Sequence, residues 1–140
     1  MKRELWITVL AVLVLFVVAW VVYSPTGDVI MNVKGEGYID ISSSDAFVLI
    51  NDNPDIIIID VSPNYYYGHL PGAINYYVGD GSLDAAIPML DSDAQYLVYC
   101  HFDSASRAGA QKLIDAGFTK VYRLTDHFVG WKDSGYPVEY

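Results

Sequence analysis

The sequence predicts an α/β protein, a parallel sheet with intervening helices, carried behind one membrane-spanning helix. Three observations predict it. Ile56-Ile57-Ile58-Ile59-Asp60-Val61 is a continuous apolar, β-branched run closed by one acid, of the kind buried on both faces of a parallel sheet. Short strand-length runs then alternate with helix-compatible stretches, which builds an α/β layer structure with right-handed crossovers. Finally, residues 5–23 (LWITVLAVLVLFVVAWVVY) are 19 residues without a charge, about 28 Å as a helix and enough for a bilayer's hydrocarbon core.

The amino-terminal segment is expected to be an uncleaved anchor. A cleaved leader has a shorter apolar core, about 7–15 residues, followed by a small-x-small site that Val21-Val22-Tyr23-Ser24-Pro25 does not offer. Trp6, Trp20 and Tyr23 stand near the two ends, where amphipathic rings prefer the interface. Lys2 and Arg3 precede the span and the next basic residue is Lys34, so the amino terminus is expected to stay cytoplasmic. Residues 1–23 then form the cytoplasmic end and signal anchor, 24–37 a juxtamembrane linker with Pro25, Gly27, Gly35 and Gly37, and 38–140 an extracytoplasmic domain. The expected location is the cell membrane, single-pass.

Within the domain, residues 38–41 alternate weakly as a first strand, and Ser42, Ser43 and Ser44 offer caps for a helix carrying Ala46, Phe47 and Ile50. Asn51-Asp52-Asn53-Pro54 ends that helix, and the isoleucine run is the second strand. A loop over 62–69 leads to a short strand about 74–77, then a helix over 82–90 stopped near Pro88 or Asp91. The strand Tyr96-Leu97-Val98-Tyr99 meets a helix over 105–116 with Gly117 at its C′ position. Residues 121–124 form the last strand and 126–134 the last helix, closed by Gly135 and Pro137.

Composition limits the partners. The chain has 140 residues, 53% of them hydrophobic, and part of that excess is the amino-terminal run. From Ser24 onward 6 basic and 16 acidic residues leave a net charge of −10, which disfavours nucleic acid and anionic lipid, and serves solubility or salt tolerance equally well. A single cysteine cannot close an intramolecular disulfide, so the domain rests on its core alone.

That cysteine, Cys100, sits at a strand's carboxyl end, where open α/β sheets bind ligands. Asp60 and the turn Leu124-Thr125-Asp126-His127 share that edge. Backbone N–H groups at the start of the next helix favour a thiolate there. The other reading of an unpaired cysteine in an apolar strand is a small buried core residue.

Asp60-Val61-Ser62, Gly68-His69-Leu70-Pro71-Gly72-Ala73-Ile74-Asn75, Tyr99-Cys100, Ala116-Gly117-Phe118, Gly130-Trp131-Lys132 and Gly135-Tyr136-Pro137-Val138 follow one another in an order that resembles the rhodanese-like superfamily. The resemblance implies a short, mostly parallel central sheet flanked by helices on both faces. It further implies a sulfurtransferase or persulfide carrier with Cys100 as nucleophile and His101, Phe102, Asp103, Ser104, Ala105, Ser106 and Arg107 lining the substrate. Its partners would be a small sulfur donor or a thiol acceptor protein. Asp60, His69 and His127 are expected behind that first layer. No cofactor or metal is expected, since His101, His127, Asp103 and Asp126 match no known zinc spacing.

The departures point to a weakened anion cradle. The family's loop arginine falls on Ala105 and its mid-loop glycine on Asp103; Ser62 replaces an arginine, and Asp126-His127 a glycine pair. Asp103 is expected to repel an anion and to raise the Cys100 pKa. A catalytically inactive binding module is therefore the competing function. A phosphatase or arsenate reductase fits less well, because its cysteine and arginine are separated by five residues and Cys100 and Arg107 by six. Tyr65, Tyr66, Tyr67, Tyr76 and Tyr77 serve either packing or a rim that selects a partner or bulky thiol.

Overall fold

The computed structural model describes residues 37–140. The anchor read at 5–23 and nearly all of the linker lie outside them; among the described residues no helix is long and apolar enough to cross a membrane.

Strands β1 (Ile39–Ile41), β2 (Ile57–Asp60), β3 (Ile74–Asn75), β4 (Tyr96–Tyr99) and β5 (Val121–Leu124) alternate with helices α1 (Ser43–Asp52), α2 (Ser82–Ala86), α3 (Asp103–Asp115) and α4 (His127–Asp133). They form one sheet in the order β1-β5-β4-β2-β3, every neighbouring pair parallel. All five carboxyl ends therefore open on one edge.

Period-two alternation divides the core between the two faces. Ile59, Val61, Tyr96, Val98 and Cys100 pack with Leu83 of α2 and Ala110 and Leu113 of α3. On the other face Ile58, Leu97, Tyr99 and Leu124 meet Ala46 of α1 and Phe128 and Trp131 of α4. Helices thus cover both faces, which is why β2 and β4 need no polar side.

Local chemistry accounts for most ends. Ser42 Oγ accepts the Asp45 N–H at 3.2 Å and starts α1; Asn53 Nδ2 donates to the Leu49 carbonyl at 2.9 Å and closes it. Gly117, at φ +94°, ends α3 as expected. The helix expected over 82–90 divides into α2 and a 3₁₀ turn at Ile87–Met89, because Pro88 has no N–H with which to continue it. β3 is shorter than expected: the Asn75 side chain donates to the Asp60 and Ser62 carbonyls, each at 2.9 Å.

Gly109 lets α3 approach the sheet, since a Cβ there would stand 2.9 Å from Val61 Cγ1. Gly109→Leu is expected to cost about 1–3 kcal/mol through overpacking. Urea unfolding would read this as a lower midpoint at unchanged slope.

Candidate active site

β4 delivers Cys100 to the carboxyl edge with only 1% of its surface exposed. His101 and Phe102 make the turn, and α3 begins at Asp103, two residues before the expected start. Ser104, Ala105, Ser106 and Arg107 are consequently helical. Ser106 is buried, its Oγ donating to the Asp103 carbonyl at 2.9 Å. Burial pushes the Cys100 thiol up; the Phe102 N–H pulls it down, the Asp60 carboxylate pushes it up and the His101 N–H pulls it down. The upward influences win, so the resting group is a thiol, with two backbone amides favouring its ionised form.

The expectation for Asp103 is corrected. Its Oδ2 accepts Arg107 Nη2 at 3.1 Å and its Oδ1 accepts Arg123 Nη1 at 2.7 Å, and these bonds hold its carboxyl below the usual range. The carboxylate that acts on Cys100 is Asp60. Arg107, at i+4 on the same helix, is turned onto Asp103. Arg123 is buried and also grips Asp40, Nε to Oδ1 at 2.7 Å and Nη2 to Oδ2 at 2.6 Å, with its guanidinium 5.8 Å from the centre of the Tyr38 ring. Arg123 was not foreseen from the sequence. Its signal was a basic residue two positions after Val121, on the same buried face of the strand.

Behind the cysteine lies a second polar group. Asp60 is fully buried; Oδ1 accepts the Ser62 N–H at 2.8 Å, while Oδ2 has no hydrogen-bond partner and stands 3.8 Å from His101 Nε2. Burial raises the Asp60 pKa above the ordinary carboxylate value, against the Ser62 bonds and His101. His101 Nε2 lies 3.2 Å from the Gly68 carbonyl, and the ring stacks on Phe128 at 4.4 Å. That acceptor assigns the proton to Nε2. Burial lowers the His101 pKa against the pull of Asp60, so the ring is neutral at pH 7. Tyr99 Oη accepts the Leu70 N–H at 3.0 Å and is pushed far above its ordinary value, by burial first and by Asp60 next.

The other two histidines have surroundings of their own. His69 is the turn residue expected of it: Nδ1 lies 3.2 Å from the Tyr65 carbonyl, the ring stacks on Tyr65 at 3.9 Å, and its backbone pairs with Glu139 in an antiparallel bridge. His127 opens α4 at φ +59°, a conformation that suits glycine, and its buried Nδ1 has no hydrogen-bond partner. Among the described residues no three His, Cys, Asp or Glu side chains come together as metal ligands.

A parallel α/β sheet that carries a lone cysteine to its carboxyl edge, with amides that favour its thiolate, defines a thiol-bearing domain of rhodanese type. The rhodanese-like domain family matches residues 43–134, and the chain belongs to that family. The thiosulfate sulfurtransferase GlpE of Actinobacillus pleuropneumoniae serotype 5b is 30% identical over 105 residues, 74% of this chain and 95% of that one. GlpE of Pseudomonas fluorescens is 32% identical over 85 residues, 59% of this chain and 75% of that one. A rhodanese-like domain from Anabaena, solved in solution, aligns with a TM-score of 0.63 at 27% identity, covering 71% of this chain and 77% of that one. The polysulfide-sulfur transferase homodimer of Wolinella succinogenes shares the fold, with a TM-score of 0.61 at 22% identity over 74% of this chain and 79% of that one.

Proposed function

We propose that this chain is a membrane-anchored sulfurtransferase or persulfide carrier with Cys100 as its single nucleophile. The observation that carries the reading is the placement of Cys100 at the carboxyl end of β4, where the Phe102 and His101 backbone amides favour its thiolate. A thiolate formed there attacks a sulfane sulfur, the donor's S–S bond breaks, and the leaving group departs with the electron pair. The same amides then hold the persulfide's charge until a thiol acceptor removes the outer sulfur. The 30% identity to a thiosulfate sulfurtransferase supports this chemistry. The uncharged run at 5–23 behind Lys2 and Arg3 supports an anchor with the domain outside the cytoplasm.

Burial of the thiol favours a second reading, a tethered binding module that makes no use of the sulfur. Intact mass of the full-length chain after exposure to thiosulfate, polysulfide or an organic persulfide separates the two. The expected result is a gain of about 32 Da per sulfur that Cys100→Ser abolishes. No adduct with any donor, together with slow alkylation of Cys100, would leave the binding module.

A further inference from the structure

We propose that the site prefers low-charge organic persulfides, R–S–SH, to dianionic thiosulfate, with Phe102, Tyr67 and Tyr140 forming the apolar rim that receives R. The proposal rests on Cys100 carrying sulfur as described above, and names the donor.

Charge is the first ground. Arg107 and Arg123 both turn to Asp103, and Arg123 also holds Asp40, so two guanidinium groups are matched by two carboxylates on the α3 side. His101 is neutral at pH 7 and directs its Nε2–H to the Gly68 carbonyl. Asp60 is the acid behind the sulfur, fully buried, with Oδ2 lacking any hydrogen bond. A dianion arriving at Cys100 therefore finds, among the described residues, backbone amides, arginines already bonded to carboxylates, and a carboxylate that water screens poorly. A persulfide brings at most one negative charge and brings none when protonated.

The rim is the second ground. Tyr66, Tyr67, Phe102 and Tyr140 are 66–86% exposed, although each is a large aromatic side chain. Phe102 lies in the turn after the cysteine, and Tyr66 and Tyr67 immediately precede Gly68, whose carbonyl bonds His101 of that turn. The Phe102 N–H favours the thiolate. Tyr140 joins them: its Cε1 lies 3.3 Å from where a Cβ on Gly68 would stand. Exposed aromatic rings mark a binding surface, and these belong to the Cys100 turn itself and to the segments that meet it through Gly68.

The transfer balances without an added oxidant or reductant. The Cys100 thiolate attacks the outer sulfur of R–S–SH, a Cys–S–SH bond forms, and the donor's S–S bond breaks. The pair leaves on R–S⁻, which takes up the proton that the Cys100 thiol released.

The test compares sulfur loading of the full-length chain by benzyl persulfide and by thiosulfate at equal concentration and pH 7. Each rate is divided by that of a free low-molecular-weight thiol with the same donor, which removes the donors' intrinsic reactivity. A normalised preference of at least tenfold for benzyl persulfide is expected. Phe102→Ala and, separately, Tyr67→Ser should each shrink that ratio severalfold; Tyr67 is exposed, so its replacement does not threaten the core. Equal or faster normalised loading from thiosulfate, or a ratio that neither variant moves, overturns the specificity and leaves the carrier standing. Absence of any adduct from either donor overturns the carrier reading and this inference with it.

Discussion

Replacing Arg123 with methionine lowers the unfolding free energy by about 2–4 kcal/mol at pH 7. A broken buried ion pair costs roughly 3–5 kcal/mol, and the lower figure applies here because the side chains of Asp40 and Asp103 are 44% and 52% exposed and regain water. The loss is large because one guanidinium ties β1, β5 and the first turn of α3 together. Urea unfolding at neutral pH reads the difference, and a change under about 1 kcal/mol would show the network to be ornamental. The acid limb carries a second signature. Asp103 has a folded pKa below its unfolded one, so its contribution is full above the unfolded value, near pH 4, and is lost as pH falls through the folded value. The methionine variant should therefore lose less stability on acidification than the parent.

Asp60→Asn makes Cys100 more reactive. Burial is the larger reason for the raised thiol pKa and stays in place, but the Asp60 carboxylate adds to it and asparagine does not. A nearby charge in a poorly screened site is worth on the order of one pKa unit, about tenfold in thiolate fraction near pH 7. The midpoint of the alkylation-rate profile against pH should move down, with a rate gain largest below the parent's midpoint. Stability should move the same way. A carboxyl whose folded pKa is raised destabilises the fold as pH rises above its unfolded value, and the amide removes that penalty while its oxygen can still accept the Ser62 N–H. An unchanged alkylation profile would exclude Asp60 as an influence on the sulfur.

The elements nearest the chemistry were legible because their signals are local. The isoleucine run, the strand ending at Cys100, the Ser42 cap and the Gly117 stop each depend on neighbours within a few residues. The start of α3 was misjudged because Phe102 caps it without a side-chain bond, whereas Asp103 in the first turn, favourable at a helix's positive end, was the signal to follow. The electrostatics of the site could not be read the same way. Asp103 was expected to oppose an anion, yet Arg123, 20 residues further on, neutralises it, and that arginine is held by Asp40, 83 residues away from it. Only the parallel pairing of β1 with β5 brings Asp40 opposite Arg123. Asp60 and His101 are likewise joined across the sheet edge, through a contact that no spacing along the chain encodes.

The antiparallel bridge between His69 and Glu139 has a practical side. With Glu139 Oε2 also accepting the Gly72 N–H at 3.0 Å, the end of the domain is stitched to the turn over residues 69–72. Anything that continues past Tyr140, whether a purification handle, a fluorescent fusion or more polypeptide, emerges beside Gly68, whose carbonyl bonds His101, the residue after the cysteine. Assays of tagged protein would report the tag's obstruction together with the site's own selectivity, and a label placed there could serve as a sensor of what enters.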